Sequence, residues 1–117
     1  WFKLCTMMRR ADYYAIWDDQ RIIGGMIVFA RGPRHYELGR IFIEPGYQNR
    51  GIGAAALAWL EARYPLAKRW TLDTPRWNLR TQHFYAKVGY VCVGSEGPDG
   101  LRYEKVIPTA TPGAAIP

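Results

Sequence analysis

The chain has few of the residues that metal sites need. Among its 117 residues are two cysteines, Cys5 and Cys92, and two histidines, His35 and His83. The cysteines are far apart and lack the short spacing of zinc ligands, so we expect no metal centre. So few cysteines also suit a reducing compartment, and we expect a cytoplasmic protein.

Long apolar runs and serine motifs are also lacking. No run is long enough to cross a membrane, the first residues show no signal-peptide pattern, and we expect no membrane partner. Ser95 is the sole serine, and Val93 stands where a G-x-S-x-G motif needs its first glycine. This pattern disfavours a serine hydrolase.

The composition that is present indicates one small globular domain. Apolar residues make up 49% and charged residues 22% of the chain, which suits a folded core. We expect the domain to span 1–107 and the Pro- and Ala-containing stretch 108–117 to be a flexible tail. The net charge of +6 predicts an anionic partner, which a nucleotide cofactor or a nucleic acid could satisfy.

The order of apolar patterns and turn residues predicts an α/β domain. Residues 1–10 show no clear period, and the paired glycines Gly24 and Gly25 indicate a bulge or a close backbone approach. The predicted elements are strands at 13–17, 21–30, 36–43 and 69–74, helices at 51–64 and from Asn78 to Lys87, and a hairpin of 90–94 with 101–106. The first three strands predict an antiparallel meander, and the strand–helix–strand unit that follows predicts one parallel pair.

The segment from Gln48 to Gly53 is the most informative part of the chain. It follows one strand and opens a helix, and it reads Gln48, Asn49, Arg50, Gly51, Ile52, Gly53. Its glycines leave backbone free of side chains, so several N–H groups can point at one spot at the positive end of a helix dipole. Such a site suits a phosphate or pyrophosphate and predicts a phosphorylated cofactor.

A dinucleotide site is the rival interpretation of the same glycines. Gly51, Gly53 and Ala56 match G-x-G-x-x-A, and Asp73 lies twenty residues past Gly53. A dinucleotide site, however, needs its first glycine in a tight turn directly after the strand. Here residues 45–50 intervene and an antiparallel meander comes first, so this alternative is disfavoured.

Two motifs together resemble the GNAT superfamily of acyl-CoA-dependent N-acyltransferases. Residues 48–53 fit the family's Q/R-x-x-G-x-G/A motif, and a second segment resembles its N-x-x-A-x-x-F-Y-x-K-x-G-F/Y pattern through Asn78, Phe84, Tyr85, Lys87, Gly89 and Tyr90. Thr81 and Tyr90 depart mildly from the common residues. The resemblance covers roughly 13–106 and implies a mixed, mostly antiparallel sheet with helices on both faces, whose parallel pair splays to admit acyl-CoA.

The resemblance also implies which residues hold acetyl-CoA as co-substrate. The backbone of Phe42 and Ile43 would pair with pantetheine, and the amides of Gln48, Asn49, Arg50, Gly51, Ile52 and Gly53 would hold the pyrophosphate. Asn78 would contact the pantetheine or phosphate arm, although it could simply be a helix N-cap. Tyr85 would be the general acid that protonates the leaving thiolate and would also touch the cofactor, unless it is only a packed aromatic residue.

Two glutamates compete for the role of general base. Glu37 lies eleven residues before Gln48, a spacing that resembles histone-acetylating members of the family, and Glu44 is its rival. Strand alternation predicts that Glu37, Ile41 and Ile43 share one face and that Glu44 lies on the other. Only one of the two carboxylates is then expected to face the acceptor, and a solvated strand glutamate is the plain alternative for Glu37.

The resemblance implies transfer of an acetyl group to an amine, by direct attack within a ternary complex. The acceptor would be a small-molecule or peptide amine whose identity the sequence does not give. Two alternatives stay open: a basic nucleic-acid-binding module using Arg9, Arg10, Arg31, Arg34 and Arg40, and a CoA-binding protein without catalysis. We expect the family's strand and helices before the meander to be shortened or missing here, so a homodimer could complete the pocket.

Overall fold

A single mixed sheet forms the centre of the molecule. The computed structural model describes residues 2–8 and 11–107, and in that part of the chain seven strands pair in the order β1-β2-β3-β4-β5-β7-β6. The strands are β1 (Phe2–Met8), β2 (Ala11–Asp18), β3 (Arg21–Gly32), β4 (His35–Ile43), β5 (Arg69–Pro75), β6 (Val91–Glu96) and β7 (Gly100–Val106). Helix α1 (Ile52–Arg63) follows β4, and helix α2 (Leu79–Lys87) follows β5. Neither helix is long and apolar enough to span a membrane.

The antiparallel meander is confirmed and is longer than the sequence predicted. Strands β2, β3 and β4 pair in sequence order, and β1 adds a fourth strand by pairing Leu4 with Tyr14. The residues without a clear period therefore contain a strand before the meander, where we expected the family's strand to be shortened or missing. Strand pairing is carried by backbone hydrogen bonds, so it does not require alternating side chains. The predicted tail, 108–117, lies outside the described residues.

Strands β4 and β5 form the predicted parallel pair, and they separate after three residues. The pairing joins His35, Tyr36 and Glu37 to Arg69, Trp70 and Thr71, although both strands continue well beyond it. We call this point of separation the fork. Beyond the fork, the edge of β4 that faces β5 is left without a strand partner, and the gap between the strands is the opening expected for an acyl-CoA.

A bulge at Gly39 sets which side chains point to each face beyond the fork. The register of β4 against β3 shifts there, and a Cβ at Gly39 would lie 2.3 Å from the ring of Phe29. The simple alternation predicted for β4 is therefore wrong, because the extra residue moves Leu38 and Ile41 to the same face. Glu37 stays on the face opposite to them.

Both helices pack on one face of the sheet, which we call the helix face. Trp59 of α1 contacts Tyr14 with ring centroids 5.0 Å apart, and the Thr81 hydroxyl of α2 lies 2.6 Å from that of Thr74. The fold class is confirmed, but helices were expected on both faces. Strand β5 explains the difference, because Trp70, Leu72 and Thr74 are buried on one side while Asp73 on the other side is more exposed.

A partly buried hydroxyl network fixes the C-terminal end of α1 to β2. The Tyr64 hydroxyl donates to Asp12 at 2.5 Å and lies 2.5 Å from the Tyr14 hydroxyl. Burial is the main cause that raises the pKa of Tyr64, and the hydrogen bond to Asp12 adds to it. These bonds hold the C-terminal end of α1 over the fork, so its N-terminal end lies beyond the fork, beside the end of β4.

The other face, which we call the open face, carries ion pairs instead of an apolar layer. Arg31 donates to Glu37 at 2.8 Å, Arg102 donates to Asp73 at 3.0 Å, and Arg69 pairs with Glu104. His35 and Thr71 share a hydrogen bond of 2.8 Å beside them. No helix among the described residues covers this face.

Candidate active site

One cavity of about 850 Å³ lies between the end of β4, the start of α1 and the inner side of α2. Nine of the ten residues predicted to bind cofactor line it: Phe42, Ile43, Gln48, Asn49, Gly51, Ile52, Gly53, Asn78 and Tyr85. Arg50 is the exception, and its guanidinium lies over the Tyr47 ring at 5.2 Å from the centroid. The cavity brings together two motifs that are thirty residues apart in the chain.

The N-terminus of α1 opens into this cavity with its amides unused by the helix. The first helical hydrogen bond runs from Ala55 N to Gly51 O at 3.0 Å, so the N–H groups of Ile52, Gly53 and Ala54 have no helical acceptor. No side chain of the described residues caps this end, and no acidic residue lies in the first turn. These donors and the helix dipole can bind an anion.

The two glycines of the motif have different structural roles. Gly51 has a φ of 76°, which favours glycine, and a Cβ added there would meet nothing within 4 Å. A Cβ added at Gly53 would instead lie 3.0 Å from the Phe84 ring. Gly51 therefore keeps the loop open, whereas Gly53 lets α1 approach α2, a role that sequence reasoning did not predict.

The Gln48 side chain links the three elements of the cavity. Its Nε2 donates to the Ile43 carbonyl at 2.8 Å, and its Oε1 accepts a hydrogen bond from Arg80. Arg80 and Lys87 are cations in the lining, and none of the lining residues is Asp or Glu. Sequence reasoning missed Arg80, because only folding brings it to Gln48. His83 is exposed and also borders the cavity.

Tyr85 is both a packed aromatic residue and part of the cavity wall. It is 8% exposed, and its ring centroid lies 5.7 Å from that of Tyr90 and 5.3 Å from that of Phe84. Burial raises the pKa of Tyr85 to about 12. The phenol is therefore protonated at neutral pH and is able to donate a proton.

Asn78 caps α2, in contrast to the uncapped start of α1. Its side chain accepts a hydrogen bond from Thr81 N at 3.2 Å, so the N-cap interpretation of Asn78 holds. The same side chain borders the cavity. Contact with a cofactor therefore stays a prediction that the N-cap role does not exclude.

The two candidate bases lie at different places on β4. Glu37 is at the fork on the open face, with its side chain 16% exposed and paired with Arg31. Glu44 lies just past the end of β4, pairs with Arg21 at 2.8 Å, and is 38% exposed. Neither lines the cavity. Only Glu37 lies where the two strands separate.

Comparisons with known proteins agree with this geometry. A family model described as the acetyltransferase (GNAT) family matches residues 2–90. The uncharacterized protein YrkN of Bacillus subtilis (strain 168) is 33% identical over 82 residues, which are 68% of this chain and 44% of that protein. The chain thus spans less than half the length of that relative.

Two solved structures share the fold at low identity. An acetyltransferase from Thermus thermophilus matches with a TM-score of 0.79 and 21% identity over 85% of this chain and 66% of that one. The PaiA N-acetyltransferase from Thermoplasma acidophilum, in complex with coenzyme A, matches with a TM-score of 0.78 and 22% identity over 84% of this chain and 62% of that one. With the family model matching most of its length, this chain belongs to the acetyltransferase (GNAT) family.

Proposed function

We propose that this domain transfers an acetyl group from acetyl-CoA to an amine within a ternary complex. The observation that carries the proposal is the uncapped start of α1, which opens into a cavity with cations, no carboxylates and the Tyr85 phenol in its wall. Membership of the family supports acetyl transfer, and the Thermoplasma protein of the same fold is in complex with coenzyme A.

The cavity fits the parts of acetyl-CoA in order. The free amides of Ile52, Gly53 and Ala54 suit the pyrophosphate, and Arg80 and Lys87 offer positive charge to the phosphates. Beyond the fork, the unpaired edge of β4 offers backbone groups to the amides of pantetheine, as an added strand would. The volume of about 850 Å³ lies in the usual range of ligand sites.

In the reaction itself, the side chains of this protein need only to accept and donate protons. Glu37 accepts a proton from the acceptor ammonium, through water, and the neutral amine attacks the thioester carbonyl. The C–N bond forms, the C–S bond breaks, and the thiolate takes a proton from Tyr85. Tyr85 regains a proton from the nitrogen, which is acidic until the amide forms. A backbone N–H of β4 beyond the fork would stabilise the oxyanion.

The positions of the acid and the base suggest how the two substrates approach. Tyr85 is on the helix side of the sheet and Glu37 is on the open face, with the fork between them. The cofactor would therefore enter from the helix side and the amine from the open face. Much of the rate acceleration would come from holding the two reactants at the fork.

The test is calorimetry with CoA, followed by thiol release from acetyl-CoA against a panel of amines, amino acids, aminoglycosides and peptides. We expect CoA to bind and at least one acceptor class to release thiol. No heat at saturating CoA would overturn the proposal. Binding of CoA with no thiol release from any acceptor would instead favour the non-catalytic CoA-binding alternative.

A further inference from the structure

A second hollow, of about 340 Å³, lies beyond the fork, at the end of β5. It is lined by Asp73, Thr74, Pro75, Trp77, Asp99 and Gly100. A hydrogen bond of 2.7 Å from Arg76 N to Asp99 O ties the loop after β5 to the turn between β6 and β7. This fixed loop holds Trp77 with 75% of its surface exposed, so a large aromatic face is available to a ligand.

Asp73 connects this hollow to the fork. It lies two residues past Thr71, which pairs with Glu37, so Asp73 and Glu37 share the open face. Two residues of extended strand cover about 7 Å, and the end of β5 at Pro75 lies about 13 Å from the fork. An acceptor with its amine near Glu37 would therefore extend along β5, past Asp73 and toward Trp77.

The charges around this path balance, although the whole protein is basic. Four carboxylates (Glu37, Asp73, Glu96 and Asp99) lie among four guanidinium groups (Arg31, Arg40, Arg76 and Arg102), whereas the net charge of the chain is +6. Arg102 donates to one of the two oxygens of Asp73, at 3.0 Å. The open face at this end is thus less positive than the chain as a whole.

The Arg102 guanidinium only partly offsets the cost of holding a negative charge on Asp73. Partial burial raises the pKa of its carboxyl, the Arg102 guanidinium opposes that rise, and the negative charge of Glu37 adds to it. A further positive charge near Asp73 would favour its ionised form. The adjacent indole of Trp77 offers a cation its face in addition.

We infer that Asp73 and Trp77 recognise a second positive charge on the acceptor, so that the acceptor is a diamine or another amine with a second cationic group roughly 7–13 Å from the reacting nitrogen. This inference rests on the proposed function, because it places the reacting nitrogen at Glu37. The hollow then acts as a specificity site for the acceptor, and neither Asp73 nor Trp77 takes part in the proton transfers.

The test compares diaminohexane with hexylamine, which differ only in the second amine. With acetyl-CoA, we expect the wild type to show a kcat/KM for diaminohexane at least about tenfold above that for hexylamine. Asp73→Asn should raise the KM for diaminohexane about tenfold with little change in kcat, and should leave hexylamine within about twofold. Trp77→Leu should also reduce the preference for diaminohexane over hexylamine.

Asp19→Asn is the matched control, because it removes one carboxylate that does not line the hollow. Asp19 has a φ of 58° in the turn between β2 and β3, a conformation that asparagine also tolerates. This variant should keep the wild-type preference. Equal kcat/KM values for the two amines, or a preference that Asp73→Asn leaves unchanged, would overturn the inference.

A binding measurement separates this inference from the proposed function. Calorimetry of each amine against the protein saturated with CoA, or against the free protein if CoA does not bind, needs no turnover. We expect diaminohexane to bind about tenfold more tightly than hexylamine and to lose that advantage in Asp73→Asn. Such binding without thiol release would support the cation site while contradicting acetyl transfer, and indistinguishable affinities would reject the cation site even if thiol is released.

Discussion

The two sides of the fork between β4 and β5 differ in the kind of polar group that they offer. On the helix side, backbone amides, Arg80 and Lys87 surround a cavity without carboxylates, and Tyr85 is buried in its wall. On the open face, Glu37 and Asp73 are partly exposed carboxylates held by guanidinium groups. The helix side thus offers donors and positive charge, whereas the open face offers carboxylates that are already paired with guanidinium groups.

Under the proposed function, this difference would bring two oppositely charged substrates together. Acetyl-CoA carries several negative charges, and an amine acceptor is an ammonium ion in water. The sheet keeps the two sets of groups on opposite faces, and the fork is the opening between them. Under the same proposal, each substrate would meet polar groups of its own kind along its approach, and the reacting atoms would meet where the strands separate.

The largest expected effect is on the helix side, at Gly51. Gly51→Glu would place a carboxylate beside the free amides of α1, at a φ of 76° that strains any side chain. We expect calorimetry to show CoA affinity reduced at least about 100-fold. Gly46→Glu is the control, because a Cβ at Gly46 also meets nothing within 4 Å and the residue lies in the preceding turn. Tight CoA binding by Gly51→Glu would mean that the pyrophosphate binds elsewhere.

Removing the Tyr85 hydroxyl should reduce turnover without loosening the cofactor. Tyr85→Phe keeps the ring packing against Phe84 and Tyr103, so CoA affinity should stay within about twofold. We expect kcat to fall about 100-fold, since the leaving thiolate loses its proton donor. Tyr90→Phe removes a similarly buried hydroxyl nearby and should leave kcat unchanged. Unchanged turnover in Tyr85→Phe would remove Tyr85 from the acid role.

A smaller effect should distinguish the two glutamates on β4. Glu37→Gln is expected to lower kcat/KM for the amine about tenfold near neutral pH, because the acceptor ammonium loses its base at the fork. Glu44→Gln should have little effect, since Glu44 lies beyond the strand end and pairs with Arg21. Both pairs are at the surface, so each change should alter the free energy of unfolding by less than about 1 kcal/mol. A larger loss of kcat/KM in Glu44→Gln than in Glu37→Gln, measured by steady-state kinetics, would assign the role of base to Glu44.

The smallest predicted change concerns alkaline pH. Because burial raises the pKa of Tyr85 to about 12, the phenol stays protonated well above neutral pH. We therefore expect that kcat does not fall between about pH 7 and 10, because the phenol keeps its proton over this range. A fall in kcat with a midpoint near pH 10 in the wild type, absent from Tyr85→Phe, would show a phenol with an ordinary pKa and contradict the buried environment.

Local patterns predicted the elements well, because they depend on neighbours in the chain. The start of α1 after Gly51 and the cap of α2 at Asn78 follow from turn and cap residues that act within a few positions. The close approach predicted at the paired glycines is also present, since a Cβ at Gly24 would lie 2.3 Å from the Phe42 carbonyl.

Contacts between distant segments could not be predicted in this way. The bulge at Gly39 accommodates the ring of Phe29, and Gly53 accommodates the ring of Phe84. Neither pair shares a local motif, so the face of each β4 side chain and the packing of α1 against α2 were open questions. The hydrogen bond from Arg80 to Gln48 belongs to the same class, because these residues lie 32 positions apart.

The sequence by itself determined the family, the glycine-containing segment at 48–53 that opens α1, and the order of strands and helices from β2 onward, since these depend on residue types at short spacings. Only the tertiary structure decided that both described helices lie on one face, that β7 lies between β5 and β6, and that Glu37 rather than Glu44 is at the fork. The physical reason is that these outcomes depend on burial and register between strands far apart in the chain, which no local pattern specifies.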